Sequence, residues 1–547
     1  MALGVLEDRH LEHVPGTARL EELKHNKYGV PIAAATNLKK GTGRDSHVIL
    51  VPQPSDDPRD PLNWPTWKKE ILFWSICYMA GLVGACGPLL APGYATIALE
   101  WGVSTNDVAA SNGDLVIALG CIMMVMAPFA VKFGRRPVFL LSALLLFTCS
   151  IWSAVSNSLQ SFVASRVFQG FGMASFEALV TATIGDIYFV HQRGFRVAVW
   201  GLAILGGINV APIVNGYMIE SKSLGWRWCF WIITIFFGIA LAAVILFVPE
   251  TNYDRRAEGA TETATPASEK VENVGDTEKE YVEHIPSVEQ APKGNHLPPK
   301  TFVQELAPWS GYVSKVSFLQ VFFRPFPFLL SPIIWFAIFS YGLTTCWLVV
   351  LSVISSVVFS APPYNFDASQ TGLVSIGPLV AGIITAFLAG PLCDYSATWF
   401  AKRNNGIYEP ESRLYIMFFM LILEVVGFAG WAAMQSAGVH WIGPVIMYSL
   451  INAGQGIGST AIVTYVIDVH TKHSPECFAL INFIKNVILY GFTQFSVAWV
   501  TKMGILHTFG ILAGLAAFCI LTTIPMYVYG KRARSWVARH PQIFDRQ

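Results

Sequence analysis

Residues 113–136 of the 547-residue chain, GDLVIALGCIMMVMAPFAVKFGRR, decide its fold. No charged side chain lies between Leu115 and Val131, and three basic residues follow, at Lys132, Arg135 and Arg136. A helix needs roughly 20 apolar residues to cross a bilayer core about 30 Å thick. We therefore predict a membrane-spanning helix over residues 108–131. Its basic end should face the cytosol, because loops rich in Lys and Arg stay on that side.

The same alternation of apolar runs and short polar loops continues in both directions from this stretch. Of all residues, 53% are hydrophobic and only 13% are charged, about half the charged share of soluble proteins. Lys and Arg gather in alternate loops and are absent from 93–107, 157–160, 359–369 and 436–440. The pattern predicts an all-α polytopic membrane protein with twelve transmembrane helices in two six-helix bundles and both termini cytosolic. The predicted spans are 71–92, 108–131, 137–156, 161–185, 197–219, 228–249, 328–358, 370–392, 414–435, 441–467, 478–500 and 507–529.

Charge and composition divide the rest of the chain. Residues 250–305 hold 12 acidic and 6 basic side chains with few aromatics, which is typical of a disordered linker. We predict a cytosolic segment over 1–70, a bundle over 71–249, a disordered linker over 250–327, a second bundle over 328–530 and a cytosolic tail over 531–547. With 37 basic and 36 acidic residues, no global positive field exists to bind nucleic acid.

Motifs for cofactor chemistry are missing from the sequence. It has no zinc-ligand spacing, no nucleotide-binding glycine loop, and no nucleophile and base in a recognisable motif. We therefore expect no cofactor or metal and do not expect an enzyme. A sensor built on the same helices would need a large signalling domain, for which the linker is a poor candidate.

Five ionisable residues fall inside predicted spans, where a charge is expensive and marks a functional candidate. On span 4, Arg166 and Glu177 are eleven residues apart and face one direction. We interpret Glu177 as the main proton site and Asp114 with Arg166 as an outer charge pair; the alternative for Glu177 is a neutral packing residue. Glu424 is interpreted as a structural hydrogen-bonding group. For Lys485, a cavity position and a side chain reaching back to the cytosol both remain open.

Polar and aromatic side chains within the spans are candidates for holding an organic ligand. Aromatic rings can stack on an amphipathic molecule, and amides are costly in lipid unless they line a cavity. Packing and interface belts are the alternative explanation for most of them. The glycines of span 10 favour close helix packing over a dinucleotide loop. The candidate substrate-binding residues are Asn209, Trp335, Tyr341, Trp347, Asn452, Gln455 and Lys485.

Several motifs resemble those of the major facilitator superfamily, and within it the fungal twelve-span drug:proton antiporters. Residues 127–136 resemble the loop motif G-x-x-x-D-R-x-G-R-R, with Ala127 and Val131 replacing its first Gly and its Asp. Residues 166–170 resemble the span 4 motif, whose Arg is implicated in proton coupling. Residues 207–216 resemble the antiporter motif of span 5, with Ala211 and Asn215 as substitutions. The resemblance implies gating roles for Lys132, Gly134, Arg135, Arg136, Gly207, Pro212, Gly216, Gly390 and Asp394.

The resemblance implies a proton-coupled secondary transporter that exports a small organic compound by alternating access, since the span 5 motif accompanies export in this family. The alternative is proton-coupled uptake of a nutrient or an organic cation such as a polyamine, for which Glu177 would be a natural binder. The expected partners are the substrate, protons and the lipid bilayer, and the expected state is a monomer. The expected location is the cell membrane, with the vacuolar membrane as the other possibility.

Overall fold

The fold is known from a computed structural model that describes residues 4–8, 10–11, 14–19, 54–55, 57–221, 223–253, 301–309, 311–312, 317–404, 407–470 and 473–544. The middle of the predicted linker, 254–300, lies outside the described residues, as do residues 20–53 of the predicted N-terminal segment. The described chain is almost entirely helical. Its one strand pair joins Ala18–Arg19 antiparallel to Ile407–Tyr408.

Twelve long helices follow one another along the described chain, six in each half. The first six are α1 (Thr66–Cys86), α2 (Thr105–Phe133), α3 (Arg135–Val155), α4 (Leu159–Ala178), α5 (Val190–Glu220) and α6 (Trp226–Phe247). The last six are α7 (Thr344–Ser360), α8 (Ile376–Arg403), α9 (Met417–Ser436), α10 (Ile442–Val469), α11 (Ser474–Met503) and α12 (Ile505–Leu521).

Shorter helices extend or connect these twelve. Pro61–Asn63, Ala91–Gly93 and Tyr94–Trp101 flank α1, and Val180–Ile187 continues α4. Phe302–Glu305, Phe318–Phe323 and Phe326–Leu330 precede the second half. Pro332–Ala337 and a π-helical turn, Ile338–Leu343, lead into α7. Ala368–Leu373 precedes α8, Pro410–Ile416 precedes α9, and Thr523–Ala538 and Pro541–Phe544 follow α12.

The apolar content of the helices explains where they lie. Eleven helical stretches in the described chain are long and apolar enough to cross a membrane. The remaining helix, α11, is 30 residues long but more polar, because it carries Asn482, Lys485 and Asn486. A polar stripe on a membrane helix is tolerated when it faces the protein interior, and Lys485 and Asn486 are indeed buried.

The two ends of the bundles differ in charge. The basic end carries the loops that join α2 to α3, α4 to α5, α8 to α9 and α10 to α11; the opposite end is called the neutral end. At the basic end the halves repeat one arrangement. Arg135 at the start of α3 pairs with Asp186 at 2.5 Å, and Arg413 before α9 pairs with Asp468 at 2.8 Å. Each pair ties the third helix of a half to the end of the fourth.

Two described stretches, the end of the predicted linker and the predicted C-terminal tail, form helices. Residues 301–307 pack against the first bundle, where the Arg136 guanidinium donates to the carbonyls of Leu306 and Ala307 at 3.0 Å. The prediction of disorder was therefore wrong for this end of the linker. The tail is also helical to Phe544. Polar composition misled here because these charges pair with each other and with backbone groups.

The chain termini meet at the basic end of the second bundle. The Lys531 ammonium lies 2.7 Å from Glu7 and 2.8 Å from Glu409. Thr17 donates to Glu409 at 2.9 Å, and the backbone N–H of Leu6 donates to the Val528 carbonyl at 3.0 Å. The N-terminal residues thus belong to the fold of the second bundle, although they precede the first in sequence.

The backbones of the two bundles approach each other toward the neutral end. A β-carbon placed on Gly216 of α5 would lie 2.4 Å from the Ala368 carbonyl oxygen, and one on Gly372 would lie 2.3 Å from the Pro212 carbonyl oxygen. The Glu220 carboxylate accepts from the backbone N–H of Ser369 at 3.2 Å across the same contact. The neutral end is therefore closed in this conformation.

We expect Gly216→Val to hold the two bundles apart at the neutral end without unfolding either one. Its side chain would occupy the space taken by the Ala368 carbonyl, and bulk at such a site forces backbone shifts. A cysteine introduced beside this contact should react faster with a water-soluble thiol reagent in the variant. Gly201→Ala on the same helix is the control, since a β-carbon there meets no described atom within 4 Å. Equal labelling of both variants would contradict the close approach.

Candidate functional site

An ion pair joins the two bundles inside the protein. The Lys485 ammonium of α11 lies 3.6 Å from a carboxylate oxygen of Glu177 on α4. The lysine side chain is 9% exposed and the glutamate side chain 26% exposed. Lys485 is therefore buried and pairs with Glu177 inside the protein, so its side chain does not reach back to the cytosol. Glu177 is the more accessible partner of the pair.

Buried amide groups with unused hydrogen-bonding capacity lie on α10 and α11. The Gln455 amide of α10 donates to the Thr345 hydroxyl of α7 at 2.7 Å, while its own carbonyl oxygen has no partner among the described residues. Asn482 Oδ1 and Asn486 Nδ2, one turn before and one residue after Lys485, are likewise buried without a described partner. Buried polar atoms left unpaired are costly, so α10 and α11 present groups that a ligand or water can satisfy.

The second half supplies the aromatic side chains near this pair. Trp347 of α7 is 3% exposed and meets Phe492 of α11 edge to face, with ring centroids 4.7 Å apart. Its indole N–H has no partner among the described residues. Tyr341 lies within electrostatic range of Lys485.

Three other predicted ligand residues lie in different surroundings. Trp335 is 43% exposed and donates to the Leu329 carbonyl at 2.7 Å, so the structure does not group it with the ion pair. Asn452 and Asn209 are buried, and each donates its amide to a carbonyl of its own helix, Tyr448 at 3.5 Å and Leu205 at 2.9 Å. The amide N–H groups of these two asparagines therefore have hydrogen-bond partners within their own helices.

The predicted pairing of Asp114 with Arg166 was wrong. Arg166 is 2% exposed and donates to Gln169 at 2.7 Å and to the Cys86 carbonyl at 2.9 Å, with Asn112 Oδ1 at 3.5 Å. Side chains two residues apart on a helix point in directions about 200° apart. Asn112 faces the arginine, so Asp114 faces away from it.

Asp114 instead contacts the other bundle. Its carboxylate accepts from the side-chain amide of Gln494 on α11 at 3.3 Å. The backbone carbonyl of Gln494 accepts from the Asn106 side-chain amide at 3.2 Å. A β-carbon on the neighbouring Gly113 would lie 2.1 Å from the Thr493 hydroxyl. Asp114 therefore belongs to the contact between α2 and α11, toward the neutral end.

The predicted gating residues of the loop between α2 and α3 lie together at the basic end. Arg135 pairs with Asp186, and the Glu250 carboxylate accepts from the backbone N–H groups of Arg135 and Arg136 at 2.9 and 3.1 Å. The Arg136 guanidinium also donates to the Val248 carbonyl. Gly134 has φ +95° and approaches Glu250 closely, where a side chain would not fit. Lys132 lies over the Tyr312 ring at 6.0 Å. The loop is thus clamped to the end of α6.

The remaining predicted gating residues lie in different contacts, within one bundle or between the two. Gly207 approaches the Gly81 carbonyl of α1 so closely that a β-carbon would lie 1.9 Å from it, while Pro212 and Gly216 lie at the contact between the bundles. Asp394 of α8 pairs with Arg413 at 3.2 Å. A β-carbon on Gly390 meets no described atom within 4 Å, so this structure gives no packing reason for that glycine.

Comparison with known proteins agrees with this architecture. The model of the Major Facilitator Superfamily matches residues 72–489. The chain belongs to the major facilitator superfamily. An uncharacterized MFS-type transporter of Schizosaccharomyces pombe is 26% identical over 563 residues, covering 98% of this chain and 95% of that protein. Protein HOL1 of Saccharomyces cerevisiae is 25% identical over 580 residues, covering 97% of each chain.

A solved structure of this superfamily, the D-xylose-proton symporter, matches with a TM-score of 0.60 at 14% identity, covering 85% of this chain and 99% of that chain. The prediction of a twelve-helix facilitator fold is confirmed. As a member of this superfamily, the chain is an integral membrane protein that transports small molecules. The sidedness of its termini stays a prediction from the basic loops.

Sequence reasoning identified Glu177 and Lys485 separately but missed their pairing. It also passed over Gln494, whose amide meets Asp114, and the unpaired amides of Asn482 and Asn486. A usable signal was present, because Asn482 lies three residues before Lys485 and four before Asn486, spacings that place side chains next to each other on one helix face. Polar residues clustered at that spacing inside a membrane helix indicate a lined interior.

Proposed function

We propose that this facilitator couples proton entry to the export of a small organic compound, such as a secondary metabolite, drug or toxin. The carrying observation is the ion pair between Glu177 and Lys485, which joins the two bundles inside the membrane. Alternating access requires the bundles to rock about a site between them. This ion pair links the bundles, and one proton can neutralise its carboxylate. It is therefore suited to coupling protonation to that movement.

Protonation of Glu177 would act on the pair directly. A neutral carboxyl no longer attracts the Lys485 ammonium, which would favour a state in which the bundles separate at this point. A proton can shift the equilibrium only because it binds the two states with different affinity. Arg166 donates to the Cys86 carbonyl at the end of α1. Asp114 and Gln494 form a contact that must break when the neutral end opens.

Support for export comes from α5. The residues that resemble the antiporter motif include Pro212 and Gly216, and both lie where the bundles meet. If the basic end faces the cytosol, the closed neutral end corresponds to the state of the alternating-access cycle that is closed to the outside. We propose the cell membrane as the location, with the vacuolar membrane as the second choice, and a monomer as the working unit.

Uptake of an organic cation is a second candidate, and one observation favours it. Glu177 is the more exposed member of the pair, at 26% against 9% for Lys485. A cationic substrate such as a polyamine could therefore approach the carboxylate directly and replace the lysine as its partner. The same residues would then serve transport in the opposite direction.

Untargeted measurement of small molecules in cells and medium tests the direction. Wild type, a deletion strain and strains carrying Glu177→Gln or the control Gly201→Ala would be compared. Export predicts a compound that accumulates inside the deletion and Glu177→Gln cells and disappears from their medium, while the control resembles wild type. A compound that instead remains in the medium of the two defective strains would contradict export and support uptake.

A further inference from the structure

Glu424 is a buried acid that the ion pair does not use. It lies in the middle of α9, is 1% exposed, and neither carboxyl oxygen has a hydrogen-bond partner among the described residues. The interpretation of Glu424 as a structural hydrogen-bonding group is therefore not supported. A carboxylate without a partner is very costly in such surroundings, whereas the neutral acid is far less so. These surroundings favour the protonated form of the side chain.

The surroundings of Glu424 contain no charge that would keep it ionised. α10 presents Gly454 to it, where a β-carbon would lie 3.0 Å from the Glu424 Cγ. From α12, the Cys519 thiol is the titratable group within electrostatic range in the described chain. Within α9 itself Glu424 is the one ionisable residue. Gly454 directly precedes Gln455, so little more than the α10 backbone separates the acid from the amides near the ion pair.

The π-helical turn before α7 connects the Glu424 region with Lys485. The Ser340 hydroxyl of this turn donates to the Cys519 carbonyl at 3.0 Å and lies 3.1 Å from the Thr522 hydroxyl. Two residues later, a β-carbon on Gly342 would lie 3.6 Å from the Lys485 Cβ. π-helical turns inside α-helices occur frequently at functional sites. This turn before α7 thus contacts both the neighbour of Glu424 on α12 and the lysine of the ion pair.

From this arrangement we propose that Glu424 is a second proton-binding residue of the transporter, linked to Glu177 and Lys485 through residues 338–343. One proton binds a carboxylate oxygen, and no other bond is made or broken. Movement of the π-helical turn opens or closes the route between Glu424 and the interior. Because this role rests on the proton coupling proposed above, its test needs a measurement that does not depend on transport.

Infrared spectroscopy of the purified full-length protein in liposomes supplies that measurement, with the proton itself as the probe. We expect a carbonyl band of a protonated carboxyl that weakens as the pH is raised, in wild type and in Glu177→Gln. Because Glu177 can also carry a proton, the decisive comparison uses the Glu177→Gln background, where adding Glu424→Gln should remove this band. A band of equal size in Glu177→Gln and in the Glu177→Gln, Glu424→Gln double variant, or a band in Glu177→Gln that stays constant with pH, would overturn the proposal. The result stands even if Glu177→Gln leaves transport unchanged and so removes the proposed coupling.

Thermal unfolding separates a proton-binding role from a structural one. A neutral acid without a hydrogen-bond partner stabilises the fold only through the packing of its atoms, and methionine can supply similar packing. Glu424→Met should therefore unfold at the wild-type temperature or higher. Met420→Ala is the matched control, one turn earlier on α9 and fully buried against Gly458, and should lower the Tm by removing packed atoms. If Glu424→Met lowers the Tm as much as Met420→Ala does, Glu424 is structural and the proposal fails.

Discussion

Replacing Glu177 by glutamine is expected to lower the stability of the transporter, because it leaves the Lys485 ammonium as an unpaired cation inside the membrane. Breaking a buried pair by removing one partner costs about 3–5 kcal/mol. Since the Glu177 side chain keeps 26% exposure, we expect a smaller loss in the free energy of unfolding, about 1–3 kcal/mol. Thermal unfolding of the purified protein measures this loss.

A second substitution distinguishes a lost ion pair from a general defect. Glu177→Gln combined with Lys485→Met removes both charges and should recover most of the stability, while transport stays defective because the proton site is gone. Lys502→Met, at an exposed position near the end of the same helix, should change neither property. If the double variant unfolds at a lower temperature than Glu177→Gln alone, the two side chains do not depend on each other as the structure indicates.

Replacing Arg534 by methionine is expected to have a larger effect on stability. Its guanidinium, 1% exposed, lies 2.7 Å from Glu409 and 2.8 Å from Glu411, whose side chains are 5% and 0% exposed. Without the arginine, two carboxylates remain buried next to each other, and the expected loss is about 3–5 kcal/mol. Expression level and thermal unfolding would report it. Arg532→Met, two residues away on the same helix, is the control.

The pH dependence of this effect follows from Glu409. Burial opposes its ionisation, but Lys531 and Arg534 hold the pKa of Glu409 below its ordinary value. Its contribution to stability is therefore complete above the ordinary carboxyl pKa and is lost as the pH falls through the lowered folded value. In Arg534→Met, Glu409 keeps Lys531 as a partner but Glu411 loses its arginine, so protonation relieves the repulsion between the two carboxylates. The difference in Tm between wild type and variant should therefore shrink as the medium is acidified; a constant difference would contradict the pairing.

The fold was predictable because the membrane constrains it so strongly. Apolar runs and alternate basic loops sufficed for the helix count, and even the polar helix α11 was expected at its place. The order of the tails was not predictable from composition. Arg534, Glu409 and Lys531 look like solvated charges in sequence, yet they neutralise one another across segments that are far apart in the chain. Such pairing depends on how the halves fold, not on local periodicity.

The site was predictable only residue by residue. Charges inside apolar runs identified Glu177 and Lys485, but their meeting depends on how two bundles pack, which a single helix cannot reveal. Comparing the positions of residues along the membrane normal alone predicted Asp114 as the partner of Arg166, and this was wrong. Depth fixes a position along the helix axis, whereas the rotation of α2 brings Asn112 toward the arginine and turns Asp114 toward Gln494.

The most direct test of the central claim measures transport of the identified compound in liposomes that contain the purified protein and carry an imposed pH gradient. The wild type should move the compound against its concentration gradient, and the reverse gradient should reverse the flow. Glu177→Gln should only equilibrate the compound, whatever the gradient, while Gly201→Ala should behave as wild type. If Glu177→Gln still accumulates the compound in response to the pH gradient, Glu177 is not the coupling residue and the account is contradicted.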